Sequence, residues 1–140
     1  MQRGFAVAAI LLAAAAIGKA DAAGPDASGI SYSADQAEQG GAVYGRRCES
    51  CHGDTMTGGV GGGPPLTGDY FFSLWGEQPL STLYSFIKSA MPEDNPGSLS
   101  NSQVTLVLAY ILQFNGFPAG SAEMAVGAEQ VQGTLPASQP

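Results

Sequence analysis

Cys48-Glu49-Ser50-Cys51-His52 is the stretch on which the reading of this chain turns. Its two thiols stand three residues apart on one turn, and an imidazole follows directly. That is the spacing of covalent haem attachment: each thiol adds to a vinyl group of the porphyrin, and the histidine is carried beneath the iron as its fifth ligand. The alternatives are a structural disulfide, a thioredoxin-like dithiol and half of a zinc site. Zinc lacks further Cys or His ligands, and the flanking residues show no βαβ unit for a redox dithiol. Both cysteines and the one histidine of the 140-residue chain fall inside these five residues.

With no second histidine, a sixth ligand has to come from a methionine, from Lys88 or from nowhere. Met56 lies four residues past His52, on the attachment side, and Met124 lies in the C-terminal region. Met91 is better placed. It follows a helical pattern, Pro92 restricts its backbone to extended conformations, and it is far enough along the chain to close over the other haem face. The bland alternative is that Met91 fills a gap in the core.

Outward from the motif, Ser33 and Gln36 form a capping-box pattern that predicts a helix over residues 34–47, with Ala37, Gly40, Gly41 and Tyr44 on one side. The adjacent glycines weaken that helix by about 1 kcal/mol each relative to alanine, which implies close packing against another backbone. Residues 53–69 hold seven glycines and two prolines, a long loop that needs something to wrap around. A second helix is predicted over 80–89 from Leu80, Leu83, Tyr84, Phe86 and Ile87 at helical spacing, ended by Pro92. The clearest spans about 101–115: Ser100 and Gln103 cap it, Val104, Val107, Leu108, Ile111 and Leu112 line its apolar face, and Gly116 and Pro118 stop it. Trp75, with Phe71, Phe72 and Leu74, either lines a cofactor pocket or is simple core. Arg46 and Arg47 either pair with haem propionates or end a helix in solvent.

The start reads as an exported leader: Arg3, an apolar run over residues 5–17, and Ala20-Asp21-Ala22 as a cleavage site. The run is shorter than the ~20 residues of a bilayer-spanning helix, so residues 1–22 are expected to be removed as a signal peptide, the mature chain to have no membrane span, and the location to be the bacterial periplasm. Removal leaves three basic residues against eleven acidic ones, a formal net charge of −8. No basic patch exists for nucleic acid, and a partner with a positive surface is favoured. Residues 23–32 carry turn formers without periodicity and are expected to be a flexible lead-in; residues 119–140, rich in Ala, Gly, Ser and Gln, are expected to be a loosely packed or disordered tail. With 20 glycines and sparse large aliphatics, the apolar content is thin for a free-standing core, and a buried cofactor would supply the difference.

Over residues 33–118 the chain resembles a class I c-type cytochrome. Gly40 and Tyr44 precede Cys48 by eight and four residues, where that family places small and aromatic residues for the crossing of its first and last helices, and Val107 and Tyr110 match the opposing positions. Gly63-Pro64-Pro65-Leu66 is similar to the family's Gly-Pro-x-Leu, which implies that the Pro64 carbonyl accepts a hydrogen bond from His52. Ala90-Met91-Pro92 is similar to the axial-methionine segment. The resemblance implies an all-α cytochrome c fold of three to five helices, with long loops wrapped around one haem c held through Cys48 and Cys51. His52 and Met91 are then the iron ligands, and Pro64, Leu66, Trp75 and Tyr110 further cofactor-binding residues, with Leu74 and Leu83 in the same pocket.

More narrowly, residues 91–100 and 115–120 resemble cytochromes that accompany periplasmic quinoprotein or other dehydrogenases; the lysine-rich docking face of mitochondrial types is absent. The implied function is one-electron transfer rather than catalysis, with a dehydrogenase as donor and an oxidase or another cytochrome as acceptor. Two alternatives stand beside it: a tightly bound cytochrome subunit of a larger oxidoreductase, and an open-site haem enzyme or sensor, which requires that Met91 not coordinate.

Overall fold

The computed structural model describes residues 28–140; the leader expected at 1–22 and the first part of the lead-in lie outside them. Five helices follow in order: α1 (Ala34–Arg47), α2 (Glu49–His52), α3 (Gly68–Trp75), α4 (Leu80–Ala90) and α5 (Asn101–Phe114). Among the described residues there is no strand, only two isolated bridges, Ser33 with Gly120 and Pro79 with Thr134. The class is all-α, with long loops between short helices.

The crossing of α1 and α5 organises the molecule. Both helices start in a capping box: Ser33 Oγ accepts from the Gln36 backbone N–H while the Gln36 side chain accepts from that of Ser33, and Ser100 and Gln103 repeat the arrangement, which satisfies donors that a helix start leaves orphaned. A β-carbon on Gly40 would lie 2.0 Å from the Leu106 carbonyl oxygen and 2.9 Å from Tyr110 Cβ. Only a residue without a side chain lets the two backbones approach that closely, which explains a glycine in mid-helix despite its propensity cost. Next to the contact, the Tyr44 and Tyr110 rings lie 5.5 Å apart and tilted by 56°, within the range of favourable aromatic pairs. Val104, Val107, Leu108, Ile111 and Leu112 of α5 are buried. At its end, the Phe117 N–H donates to the Leu112 carbonyl and the Gly116 N–H to that of Gln113, with Gly116 at φ 88°, the paired bonds of a Schellman cap.

Helix α3 was not legible in advance. The residues 68–75 read Gly-Asp-Tyr-Phe-Phe-Ser-Leu-Trp, and a short, nearly continuous apolar run has no period that separates helix from strand. Its two faces go to different places: Phe72 is buried and stands 6.4 Å from the Phe117 ring, while Leu74 and Trp75 turn to the cleft described below.

The expectation of a loosely packed tail is overturned. Residues 119–140 contain no helix, yet Met124, Val131 and Leu135 are at most 5% exposed. Gln36 donates to the Met124 carbonyl and accepts from its N–H. Further on, Leu135 exchanges backbone hydrogen bonds with the turn between α3 and α4, accepting from Glu77 N–H and donating to the Gln78 carbonyl, and the Gly133 carbonyl accepts from Leu80 N–H. That last bond caps α4, whose N-cap residue, Pro79, makes no side-chain cap bond. Low-period composition hid this because single apolar anchors joined by turn residues give no helical or strand pattern. The flexible lead-in needs the same correction over its described part: Ile30 and Tyr32 are buried, and the Tyr32 hydroxyl donates to the Phe117 carbonyl.

Candidate cofactor-binding site

Cys48 ends α1, and the chain turns at once into the single turn of α2, with His52 N–H on the Cys48 carbonyl at 2.9 Å and Cys51 N–H on the same acceptor at 3.1 Å. Both cysteine side chains are half-buried and are not joined to each other. Before haem attachment, burial pushes the Cys48 thiol up to about 11, opposed by the Arg47 guanidinium and reinforced by Cys51, which favours its protonated form.

The glycine-rich loop wraps around this turn. Gly61 N–H donates to the Ser50 carbonyl, Gly63 N–H to that of Cys51 and Gly58 N–H to that of His52, and the Tyr44 hydroxyl takes the Gly53 carbonyl at 2.6 Å. The carbonyls that α2 leaves open are thereby satisfied. A β-carbon on Gly61 would lie 2.7 Å from Ser50 O and 2.9 Å from Cys51 Sγ, and one on Gly63 would lie 2.7 Å from Cys51 O. The loop is glycine because it is moulded onto the attachment turn.

His52 is 8% exposed, and its Nδ1 stands 2.7 Å from the Pro64 carbonyl oxygen. A carbonyl only accepts, so Nδ1 carries the proton and Nε2 keeps its lone pair free to bind a metal. The segment that supplies this carbonyl is itself held, by Leu66 N–H on the Met56 carbonyl at 2.8 Å and by Asn115, whose Nδ2 donates to the carbonyls of Leu66 and Ile111, each at 2.9 Å.

His52, both cysteines and Met91 line one cavity of about 280 Å³, walled by Leu66, Phe71, Leu74, Trp75, Leu83 and Val107, with Arg46, Arg47, Glu93 and Asp94 as its charged members. Met91 has extended backbone, φ −115° and ψ 152°, immediately after α4. Met56 and Met124 are buried in the core and line no part of the cavity, and the Lys88 ammonium is engaged by the carbonyls of Gly97 and Leu99. Among the described residues no group of three or more His, Cys, Asp or Glu side chains is placed to hold a metal ion.

Of the residues singled out in the sequence, Cys48, Cys51, His52, Pro64, Leu66, Trp75 and Met91 are thus brought together, and Tyr110 is not. Val107 and Ile111 are the α5 residues that face the cavity; Tyr110 lies off that stripe, packed on Tyr44 and over Gly41. Trp75 is at the wall, its ring 5.1 Å from that of Phe86. Asn115 was missed as a site residue; in the sequence it stood only as the last residue of the predicted 101–115 helix and the first of the 115–120 segment.

A neutral imidazole fixed in one tautomer, a thioether and two thiols around an apolar cleft form a donor set that fits a covalently attached haem. In a helical scaffold built on the α1–α5 crossing, that site defines a c-type cytochrome domain. The chain belongs to the family described as "Cytochrome C oxidase, cbb3-type, subunit III", whose model matches residues 35–111. With that membership, the cofactor is one haem c bound through Cys48 and Cys51. Thiosulfate dehydrogenase of Stutzerimonas stutzeri (strain A1501) is 39% identical over 75 residues, which are 49% of this chain and 24% of that protein. The crystal structure of the sulfane dehydrogenase SoxCD from Paracoccus pantotrophus overlaps 70% of this chain and 52% of its own at 27% identity, with a TM-score of 0.49. The chain therefore spans about a quarter of the first relative and about half of the second. Among the described residues no helix is long and apolar enough to cross a membrane.

Proposed function

We propose that this domain is a one-electron carrier whose iron is held by His52 and Met91, and that it takes electrons from a dehydrogenase in the periplasm and passes them to an oxidase or another cytochrome. The observation that carries this reading is Met91, alone of the described methionines, lining the same cavity as a tautomer-fixed His52. When bound, haem c supplies a ferric–ferrous couple. The protein's part is to hold and tune it. Pro64 orients His52 and raises its basicity through the Nδ1–H bond. Leu66, Leu83 and Val107 exclude water, lowering the local dielectric and favouring the less charged state. Arg46 and Arg47 bring positive charge suited to propionate carboxylates. With His52 and Met91 both holding the iron, haem c would offer small oxidants no open position, so transfer rather than O₂ or peroxide chemistry would be the output.

Haem-loaded protein should titrate reversibly with a one-electron Nernst slope, and its ferrous form should bind no CO at neutral pH. Ready CO binding by the wild type would replace this reading with the open-site enzyme or sensor. A second reading, a cytochrome subunit within a larger oxidoreductase, is favoured by the matched dehydrogenase being some four times longer than the segment it shares. Stable co-purification of a catalytic chain would select it over a diffusible carrier. The acidic surface favours a partner with a positive docking face, met through a small interface of below about 1,200 Å².

A further inference from the structure

Between Met91 and α5 runs a loop, residues 92–99, largely exposed until Leu99, which is 1% exposed. Pro92, Glu93 and Asp94 of this loop line the cavity, yet every residue from 93 to 98 is exposed. Its own backbone contributes Asn95 N–H to the Pro92 carbonyl at 3.0 Å and Ser98 N–H to that of Asn95 at 3.3 Å. Beyond these and the buried Leu99 at its end, its hydrogen bonds come from two cations. Lys88, in the last turn of α4, donates from Nζ to the Gly97 carbonyl at 3.1 Å and the Leu99 carbonyl at 2.6 Å, and Arg47, the last residue of α1, donates to Ser98 Oγ at 2.8 Å.

A lysine near a helix C-terminus ordinarily serves that helix's own last carbonyls. Lys88 does not: its acceptors lie nine and eleven residues on, so its bonds close a ring of backbone that contains Met91. Arg47 joins the same loop to the residue before Cys48. Charge-assisted bonds of this kind are about twice as strong as neutral ones, and a loop exposed over residues 93–98 belongs to the weakly stabilised part of a fold, where a few such bonds govern local opening.

We propose that Lys88 is a positioning residue that latches the 92–99 loop over the haem cavity, with the Arg47–Ser98 bond as a second latch, so that these cations set how often Met91 leaves the iron. The proposal rests on Met91 being the sixth ligand. It also gives Lys88 a task other than ligation, since an ammonium committed to two carbonyls is not free to replace the methionine.

The test uses the full haem-loaded chain in its ferric form, mixed rapidly with imidazole. Where methionine must leave before imidazole enters, the observed rate reaches a plateau at high imidazole, and that plateau is the rate of loop opening. Lys88→Met keeps the apolar stem and removes the donors; its plateau is expected to rise about tenfold or more. Lys88→Arg, which keeps a cationic donor, should restore a value near wild type, and Ser98→Ala, which cuts the second latch from the loop side, should give a smaller rise. In a Met91→Ala background, where nothing has to leave, Lys88→Met should change the imidazole rate by less than twofold. A plateau unchanged in both Lys88→Met and Ser98→Ala, or an equal acceleration in the Met91→Ala background, overturns the latch while leaving methionine ligation intact. Wild-type protein without a sulfur-to-iron charge-transfer band overturns the ligation and the latch with it.

Discussion

Asn115 donates both amide hydrogens to buried carbonyls, Leu66 on the haem-loop side and Ile111 on α5, and is itself fully buried. Its replacement by alanine strands the Leu66 carbonyl, while the Ile111 carbonyl keeps the backbone N–H of residue 115, so Asn115→Ala should cost about 1–3 kcal/mol, measured by urea unfolding of the haem-loaded protein. Because Leu66 stands two residues from the carbonyl that fixes His52, the reduction potential should shift as well. His52 was legible because its type and spacing carry the chemistry, and Pro64 through the resemblance of its segment to Gly-Pro-x-Leu; Asn115 was not, because an asparagine at a helix end is the same in sequence whether it faces solvent or clamps a buried carbonyl. Tyr32 gives a pH test at the same scale. Burial pushes its phenol up from 10.0 to about 12, favouring the neutral form in the folded state. The stability this contributes is fully present below pH 10 and is lost as pH rises through 12. Tyr32→Phe should therefore weaken the fall in melting temperature between pH 10 and 12, and an unchanged slope would contradict the assignment.

The two adjacent glycines of α1 separate packing from propensity. A β-carbon on Gly40 meets the Leu106 backbone at 2.0 Å, whereas one on Gly41 meets only the Tyr110 ring, at 3.3 Å. Gly40→Ala should force α1 and α5 apart and cost at least about 1–3 kcal/mol. In Gly41→Ala a propensity gain of about 1 kcal/mol offsets the milder contact, leaving it near neutral in the same urea assay. Helices α1, α4 and α5 were readable since each joins a period of 3.6 to a distinct start or stop. α3 fails that test over eight residues of aromatic and apolar side chains, and its helical state is set by tertiary packing, with Phe72 turned to Phe117 and Trp75 to Phe86.

Across the whole molecule, the tail makes the fold larger than the segment that resembles a cytochrome. Leu135, 1% exposed, anchors a strap whose backbone holds the α3–α4 turn and so the wall that carries Leu74, Trp75 and Leu83. Leu135→Ala should cost about 2–5 kcal/mol; a loosely attached tail would give a loss below about 0.5 kcal/mol. The strap escaped the sequence because its anchors are single residues, while the cofactor site was largely visible because covalent haem chemistry admits so few arrangements of Cys and His. Whether His52 and Met91 close the haem is decided by the visible spectrum of the haem-loaded protein, oxidised and reduced, beside that of Met91→Ala. The wild type should be low-spin with a weak sulfur-to-iron charge-transfer band that the variant loses. A high-spin wild type, or a band that survives in Met91→Ala, would contradict it.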